Sequence, residues 1–362
     1  MFKSRLKKFL KIFFIVLAIV VAILFFYISY VLMSYNRIED NKVLEVTGKS
    51  KESVVRLGKN YTAVTYNIGF GAYTPDFTFF MDGGKSSWAK SKESVISCIN
   101  GSISLLKDRH VDFALLQEVD FNSTRSYHVN EVKQIIDAFN NMSSTLAISY
   151  HSAFLFWPIF QPHGFANSGL LTLSKVNIES SIRRSLPVSE SLSKFFDLDR
   201  CYSINRILVE NSKELVIINV HLSAYGTNKD LQRKQLEKLF FDMKEEYKKG
   251  NYVICAGDFN MDFFGNSKEI FNKVVPGDDL TWASPFPNEL IPEHFLKLTN
   301  YNKGIKVPSC RNSERPYGPD SLTLIVDGFI VSDNINIIYT DIIDNHFAYS
   351  DHNPVEIKFN LI

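Results

Sequence analysis

The sequence predicts an α/β sandwich carried behind one membrane-spanning helix. Three observations lead there. An uncharged apolar run of helix length lies near the N-terminus. Short apolar strands alternate with helical segments over the rest of the chain, the pattern of layered α/β domains. Several of those strands stop at a lone polar side chain, as strands do when a sheet edge carries a site.

The N-terminal run is Ile12–Met33, IFFIVLAIVVAILFFYISYVLM. About 20 apolar residues suffice to cross a bilayer as a helix. Tyr27, Tyr30 and Tyr35 gather at its far end, where interfacial aromatics belong. A cleaved signal peptide is the competing reading, but its apolar region is about 7–15 residues and ends in a small-residue site; Leu32, Met33, Ser34 and Tyr35 offer none. Lys3, Arg5, Lys7, Lys8 and Lys11 precede the run. Positive charge on that side keeps the N-terminus in the cytoplasm and sends the rest of the chain across the cell membrane. The expected organisation is a basic cytoplasmic tail (1–11), an anchor (12–35), a polar tether (36–58) and a folded domain (59–362).

Composition narrows the functional classes. Taking those five cations from the formal net charge of +1 leaves −4 for the remainder. A non-specific nucleic-acid binder needs a basic face, and the totals show none. The four cysteines, Cys98, Cys201, Cys255 and Cys310, lack the spacing of a structural zinc site.

Taken in order, YTAVTYNIGF (61–70) is β-branched and reads as a strand with Asn67 near its end. A Gly- and aromatic-rich loop follows to residue 88, then a helical stretch over 91–107. VDFALLQEVD (111–120) is a second apolar strand carrying Glu118, which needs a cation or a donor if buried. Arg125 and His128 stand in the polar loop after it, and 130–141 reads as a helix. The aromatic run HSAFLFWPIF (151–160) is read as a core strand, with a membrane-touching loop as the alternative. Strands follow over 168–175, 200–210 and 214–224, the last bearing His221.

Residues 230–250 form the clearest soluble helix, with Leu231, Leu236, Leu239 and Phe240 as its apolar stripe and Gly250 as its stop. The strand Asn251–Asp262, NYVICAGDFNMD, comes next and places Asp258 and Asn260 just past an apolar run. From there to about 320 the chain is irregular, with Trp282, Arg311 and Arg315, and is expected to face substrate. SLTLIVDGFIVS (321–332) reads as a strand pair broken at Asp327, and Asp351–His352 precede the closing strand.

The segments TYNIG, LLQEVD, NVHLSAYG, AGDFNMD, VDGFIVS and SDHNPV occur in this order between residues 61 and 359. In wording and order they resemble the endonuclease/exonuclease/phosphatase superfamily, which contains deoxyribonucleases, abasic-site endonucleases, inositol polyphosphate 5-phosphatases and neutral sphingomyelinases. The resemblance implies a four-layer α/β sandwich, two packed mixed β-sheets flanked by helices. It implies phosphate-ester hydrolysis by in-line attack of an activated water, with Mg²⁺ as cofactor and Mn²⁺ as a substitute. Glu118 would be the main metal carboxylate with Asn67 beside it, and Asp351 would support the metal through water. His352 would be the general base or a phosphate contact, with Asp327 fixing its tautomer. Asp258 would orient or deprotonate the water, and which of Asp258 and His352 is the base stays open. Asn260 and His221 would bind the scissile phosphate.

The family hydrolyses lipid headgroups, small phosphorylated molecules and nucleic acids, so fold does not choose a substrate. The helix, the aromatic run and the acidic body favour a lipid headgroup or small phosphate ester, with the bilayer as partner. A surface nuclease needs a basic groove, for which Arg183, Arg184, Arg311 and Arg315 are candidates. A non-catalytic anchored binding protein is the third reading. Arg125 and His128 are candidate phosphate contacts by residue type and loop position; ordinary exposed loop side chains are the competing reading.

Overall fold

The computed structural model describes residues 2–191, 199–224, 229–271, 283–299 and 306–362. The chain begins with helix α1 (Phe2–Ser34), which absorbs both the basic tail and the apolar run into one element. Strands β1 (Lys42–Val43), β2 (Val46–Thr47) and β3 (Tyr61–Asn67) follow, then α2 (Lys92–Asp108), β4 (Phe113–Asp120), α3 (Glu131–Ala138), β5 (Ser143–His151) and β6 (Asn167–Ser174). Next come β7 (Ser180–Ser185), β8 (Cys201–Leu208), β9 (Glu214–His221), α4 (Lys229–Lys248), β10 (Tyr252–Asp258) and α5 (Ser267–Phe271). The remaining strands are β11 (Phe295–Lys297), β12 (Cys310–Arg311), β13 (Thr323–Leu324), β14 (Asp327–Ser332), β15 (Ile335–Ile342) and β16 (Val355–Leu361).

Two mixed seven-stranded sheets pack face to face. One runs β1-β7-β8-β9-β10-β14-β11 and the other β15-β16-β3-β4-β6-β5-β2. Each has one parallel pair, β9–β10 and β3–β4, among antiparallel neighbours. Tyr61, Ala63, Phe113 and Leu115 of one sheet share a buried cluster with Ile217, Ile254, Phe329 and their neighbours of the other. α4 covers the outer face of the first sheet through Leu236, Leu239, Phe240 and Met243. α2 covers the second through Val95, Ile99, Ile103 and Leu106. Buried amides cross between the sheets: Gln117 Nε2 donates to Asn219 Oδ1 at 2.8 Å, and Thr145 Oγ1 donates to Asn205 Oδ1 at 2.7 Å. A buried polar group needs a partner, so these bonds also fix how the sheets register.

Helix boundaries have local causes. The Ser91 side chain accepts from Ser94 N–H at the start of α2, and Asn130 Oδ1 accepts from Lys133 N–H at the start of α3. At β10, Gly257 is required by close approach, since a Cβ there would lie 1.8 Å from the Val220 carbonyl oxygen of β9.

Three sequence expectations are corrected here. The aromatic run 151–160 is not a core strand: Phe154, Phe156, Trp157, Ile159 and Phe160 are exposed. It forms a loop, because Pro158 interrupts pairing and the end of α1 supplies its neighbours instead. Residues 36–58 are not a free tether. Arg37 donates to the Leu186 carbonyl, Ile38 N–H donates to Asp199, β1 adds to the edge of β7, and β2 adds to the edge of β5. Finally, 321–332 does form two strands, but the break falls at Ile325 and Val326 instead of at Asp327, which opens β14; β13 pairs with β12 in a separate ribbon, while β14 joins β10. Trp282 lies outside the described residues, as do Tyr225 and Gly226 of the NVHLSAYG segment.

Candidate active site

Strand register assembles the site. Asp258, the last residue of β10, pairs with His221 at the end of β9 and with Asp327 at the start of β14. In the facing sheet Asn67 pairs with Gln117, so Glu118 comes next at the same end. Between the Leu116–Leu171 and Val119–Gly169 pairs, β4 has two residues where β6 has one. This bulge, with Glu118 at φ 54°, turns the carboxylate out of the ladder and into the cleft. Asn260, at φ 49°, turns the chain just past β10.

The cleft has a volume of about 350 Å³ and is lined by Asn67, Glu118, His221, Asp258, Asn260, Asp351 and His352. Asn67 bridges the two sheets, its Nδ2 donating to Asp258 Oδ2 at 3.0 Å and to Glu118 Oε1 at 3.4 Å. Asp258 Oδ1 accepts from Asn260 N–H at 2.9 Å, and Asn260 Nδ2 donates to the Leu222 carbonyl at 2.8 Å. His221 Nε2 and His352 Nε2 approach Asp258 Oδ2 at 3.4 and 3.7 Å. Behind His352, Asp327 Oδ2 receives Nδ1 at 2.8 Å and the Ser309 hydroxyl at 2.7 Å.

Burial and neighbouring charge set the protonation pattern. Burial above all, then the Asp327 charge, pushes Asp258 up to about 7, against the pull of His352 and the Asn260 and Asn67 bonds. Burial disfavours the His352 cation, yet the Asp327 carboxylate outweighs it and holds the imidazole well above its ordinary value. His221 moves the other way: burial, Arg200 and His352 keep it neutral. Burial raises Asp351 as well, with Glu118 adding to it and His352 and Arg311 opposing.

Glu118 and Asp351 are hard oxygen donors facing one cleft, and their mutual repulsion is what a divalent cation would relieve. The Asn67 oxygen accepts from Gly69 N–H at 3.0 Å, so its amide nitrogen faces Glu118. That orientation makes Asn67 a bridge between carboxylates, in contrast to the oxygen donor expected from the sequence. Donor atoms of Asp258, Asp327 and His352 also lie within 4.8 Å of one another, a possible acidic metal site. Because His352 Nδ1 is already bonded to Asp327, we read that pair as a hydrogen-bonded relay, with Asp258 3.7 Å from the other ring nitrogen.

Arg125 and His128 stand apart from this group. Arg125 is buried, its Nε and Nη2 donating to both oxygens of Asp120, and its guanidinium lies 3.8 Å from the Phe70 ring centre. It borders a neighbouring pocket, but those donors are engaged. His128 bonds Asn122 Oδ1 at 2.9 Å on the surface. The arginines proposed for a basic groove do not converge either. Arg183 is buried and bonds backbone carbonyls such as Ile148 and Asp199, Arg184 pairs with Asp242, and Arg315 pairs with Glu314. Arg311 alone of the four lines the cleft.

Sequence reasoning missed Arg200 and Ser309. Arg200 lines the cleft with His221, but in sequence it is only the first residue of an expected strand. Ser309 sits in the irregular stretch, where nothing marked it as the hydroxyl behind Asp327.

The chain belongs to the endonuclease/exonuclease/phosphatase family, whose pattern it matches over residues 64–303. Solved structures share its fold at low sequence identity. One is an endonuclease/exonuclease/phosphatase from Beutenbergia cavernae (TM-score 0.54, 14% identity, covering 84% of this chain and 72% of that one). Another is a family protein from Leptotrichia buccalis (0.53, 14%, 83% and 100%). A third is ANGEL2, described as a 2′,3′-cyclic phosphatase, in complex with adenosine-2′,3′-vanadate (0.52, 13%, 90% and 99%). No curated protein matches the chain.

Proposed function

We propose that this protein is a membrane-anchored, extracytoplasmic, metal-dependent phosphoesterase acting on a lipid headgroup or a small phosphorylated molecule. The observation that carries the chemistry is the Asp327–His352 relay facing Asp258 across a cleft that also holds Glu118 and Asp351. A divalent cation held by Glu118 and Asp351 would neutralise charge on the phosphoryl oxygens.

The chain's own groups supply the rest. Asp258, steadied by Asn67 and the Asn260 N–H, holds the attacking water and takes its proton. Because Asp327 occupies Nδ1, the Nε2–H of His352 is free to donate to a phosphoryl oxygen. Neutral His221 and the Arg200 and Arg311 charges line the walls where an anion would sit. Helix α1, which carries an apolar 18-residue stretch with no buried residue, supports the anchor. The scattering of Arg183, Arg184 and Arg315 away from the cleft argues against a nuclease groove.

The test is hydrolysis by the full chain with Mg²⁺, offering phospholipids, small phosphate esters and plasmid DNA side by side. An Asp258→Ala/His352→Ala variant is the control. Turnover of lipid or small esters, lost in the variant, supports the proposal. Cleavage of DNA alone would replace it with the nuclease reading, and no turnover with any divalent metal would leave a binding protein.

A further inference from the structure

The exposed aromatic loop does not stand free. Tyr27 of α1 donates its hydroxyl to the Phe154 carbonyl at 3.1 Å and accepts from Phe156 N–H at 3.4 Å, while Tyr30 accepts from Phe154 N–H at 3.1 Å. The Tyr27 and Phe156 rings meet edge to face at 4.7 Å. These bonds hold the loop against the last turns of the apolar helix, at the level where interfacial aromatics sit. Trp157, Ile159 and Phe160 are exposed on it.

Between helix and loop lies a groove of about 400 Å³, walled by Val31, Leu32, Phe80, Leu155 and Trp157 and almost devoid of polar surface. One wall is the helix proposed as the anchor, so in a bilayer the groove would open sideways toward hydrocarbon. Its lining adjoins that of the catalytic cleft. Met81 borders the groove, the cleft and the small pocket between them, and Tyr150 and His163 border both the groove and that pocket. His163 is buried, with Nδ1 lacking a hydrogen-bond partner. A donor or acceptor from a ligand passing the junction would satisfy it.

We propose that this groove receives the hydrocarbon chain of a membrane-resident phosphate ester, whose phosphate then reaches the cleft past Met81 and His163. The proposal rests on the phosphoesterase reading and adds the substrate class: a lipid-like amphiphile entering from the bilayer, in place of a soluble phosphate. A single alkyl chain matches a groove of this size, and each methylene removed from water favours the long-chain ester.

The test uses the full chain in phosphatidylcholine vesicles with Mg²⁺ and two pairs of esters. They are 4-nitrophenyl hexadecyl phosphate against 4-nitrophenyl methyl phosphate, and hexadecyl phosphate against methyl phosphate. The expected result is a kcat/KM at least tenfold higher for the long-chain member of whichever pair is hydrolysed. Val31→Trp, which fills the groove from a half-buried helix position, should bring that ratio toward one; Leu32→Trp, from an exposed position, is the second filling variant. Equal rates for long and short chains would overturn the groove and leave the phosphoesterase intact. A chain-length advantage that persists in both filled variants would also overturn it. Failure to hydrolyse any of the four would overturn both readings together.

Discussion

Asp327 Oδ2 lies 2.8 Å from His352 Nδ1, and the same oxygen accepts the Ser309 hydroxyl. The carboxylate thus fixes both the tautomer and the charge of the imidazole. Asp327→Asn should lower kcat by roughly 10²–10⁴-fold, the usual range for a lost acid–base partner. It should also shift the alkaline limb of the pH profile. Activity that needs the His352 cation is lost as pH rises through its pKa, and removing the Asp327 charge lowers that pKa. The limb should therefore move to lower pH in kcat/KM profiles. An unmoved limb would mean that His352 does not act as the cation.

Asp258 supplies the acid limb. Burial and Asp327 bring its carboxyl to about 7, so activity should fall below that pH as the group protonates. Asp258→Asn should lose about 10³-fold or more in kcat while unfolding at the wild-type denaturant midpoint. A folded Asn variant retaining a tenth of the activity would remove Asp258 from the role of base.

Chelation with EDTA should abolish turnover, and added Mg²⁺ or Mn²⁺ should restore it. Glu118→Gln, which keeps the shape and removes the charge, should raise the metal concentration for half-maximal activity by about tenfold or more. A second readout is thermal stability, since a cation bound to the native state alone raises Tm with concentration. That rise should shrink in the variant.

Arg125 answers to a different measurement. Its two bonds to Asp120 are buried, and breaking a buried pair from one side costs about 3–5 kcal/mol. Arg125→Ala should therefore lower the urea midpoint strongly. A variant of wild-type stability with a raised KM would instead restore the phosphate contact expected from the sequence.

Glu246 gives a stability prediction in acid. Burial works to raise its pKa, but the paired bonds from Arg206 at 2.6 and 2.7 Å, with Lys249 and Asn251, bring it down to about 2. Its contribution is present above the ordinary value of 4.5 and is lost as pH falls toward 2. Glu246→Gln should cost on the order of 2 kcal/mol at pH 7, allowing for solvent screening at Arg206. The difference from wild type in urea unfolding should close between pH 4.5 and 2.

Much of this architecture was legible because strands buried on both faces read as continuous apolar runs. β4, β9 and β10 announce themselves that way, each with its polar residue at the end the site uses. β5 and β7 did not. Ser143, Ser144 and Thr145 are buried yet polar, and the strand SSIRRS hides Arg183 inside the protein, satisfied by carbonyls that no local pattern reveals. The carboxylates and histidines of the cleft could be gathered from motif order. Arg200 could not, because its place depends on where β8 begins relative to β9. The loop 151–160 misled for a related reason: apolar residues signal burial, but not whether protein or bilayer does the burying.

Residues 36–58 hold a further consequence. Because β1 and β2 stitch this segment to the outer edges of both sheets, little free chain remains between helix and body. For a chain anchored as proposed, the cleft cannot sweep through a hemisphere of solvent in search of substrate. Its encounters become those of two dimensions. Turnover should then follow the mole fraction of substrate in the vesicle surface, and diluting the substrate with inert lipid at constant bulk concentration should slow the reaction.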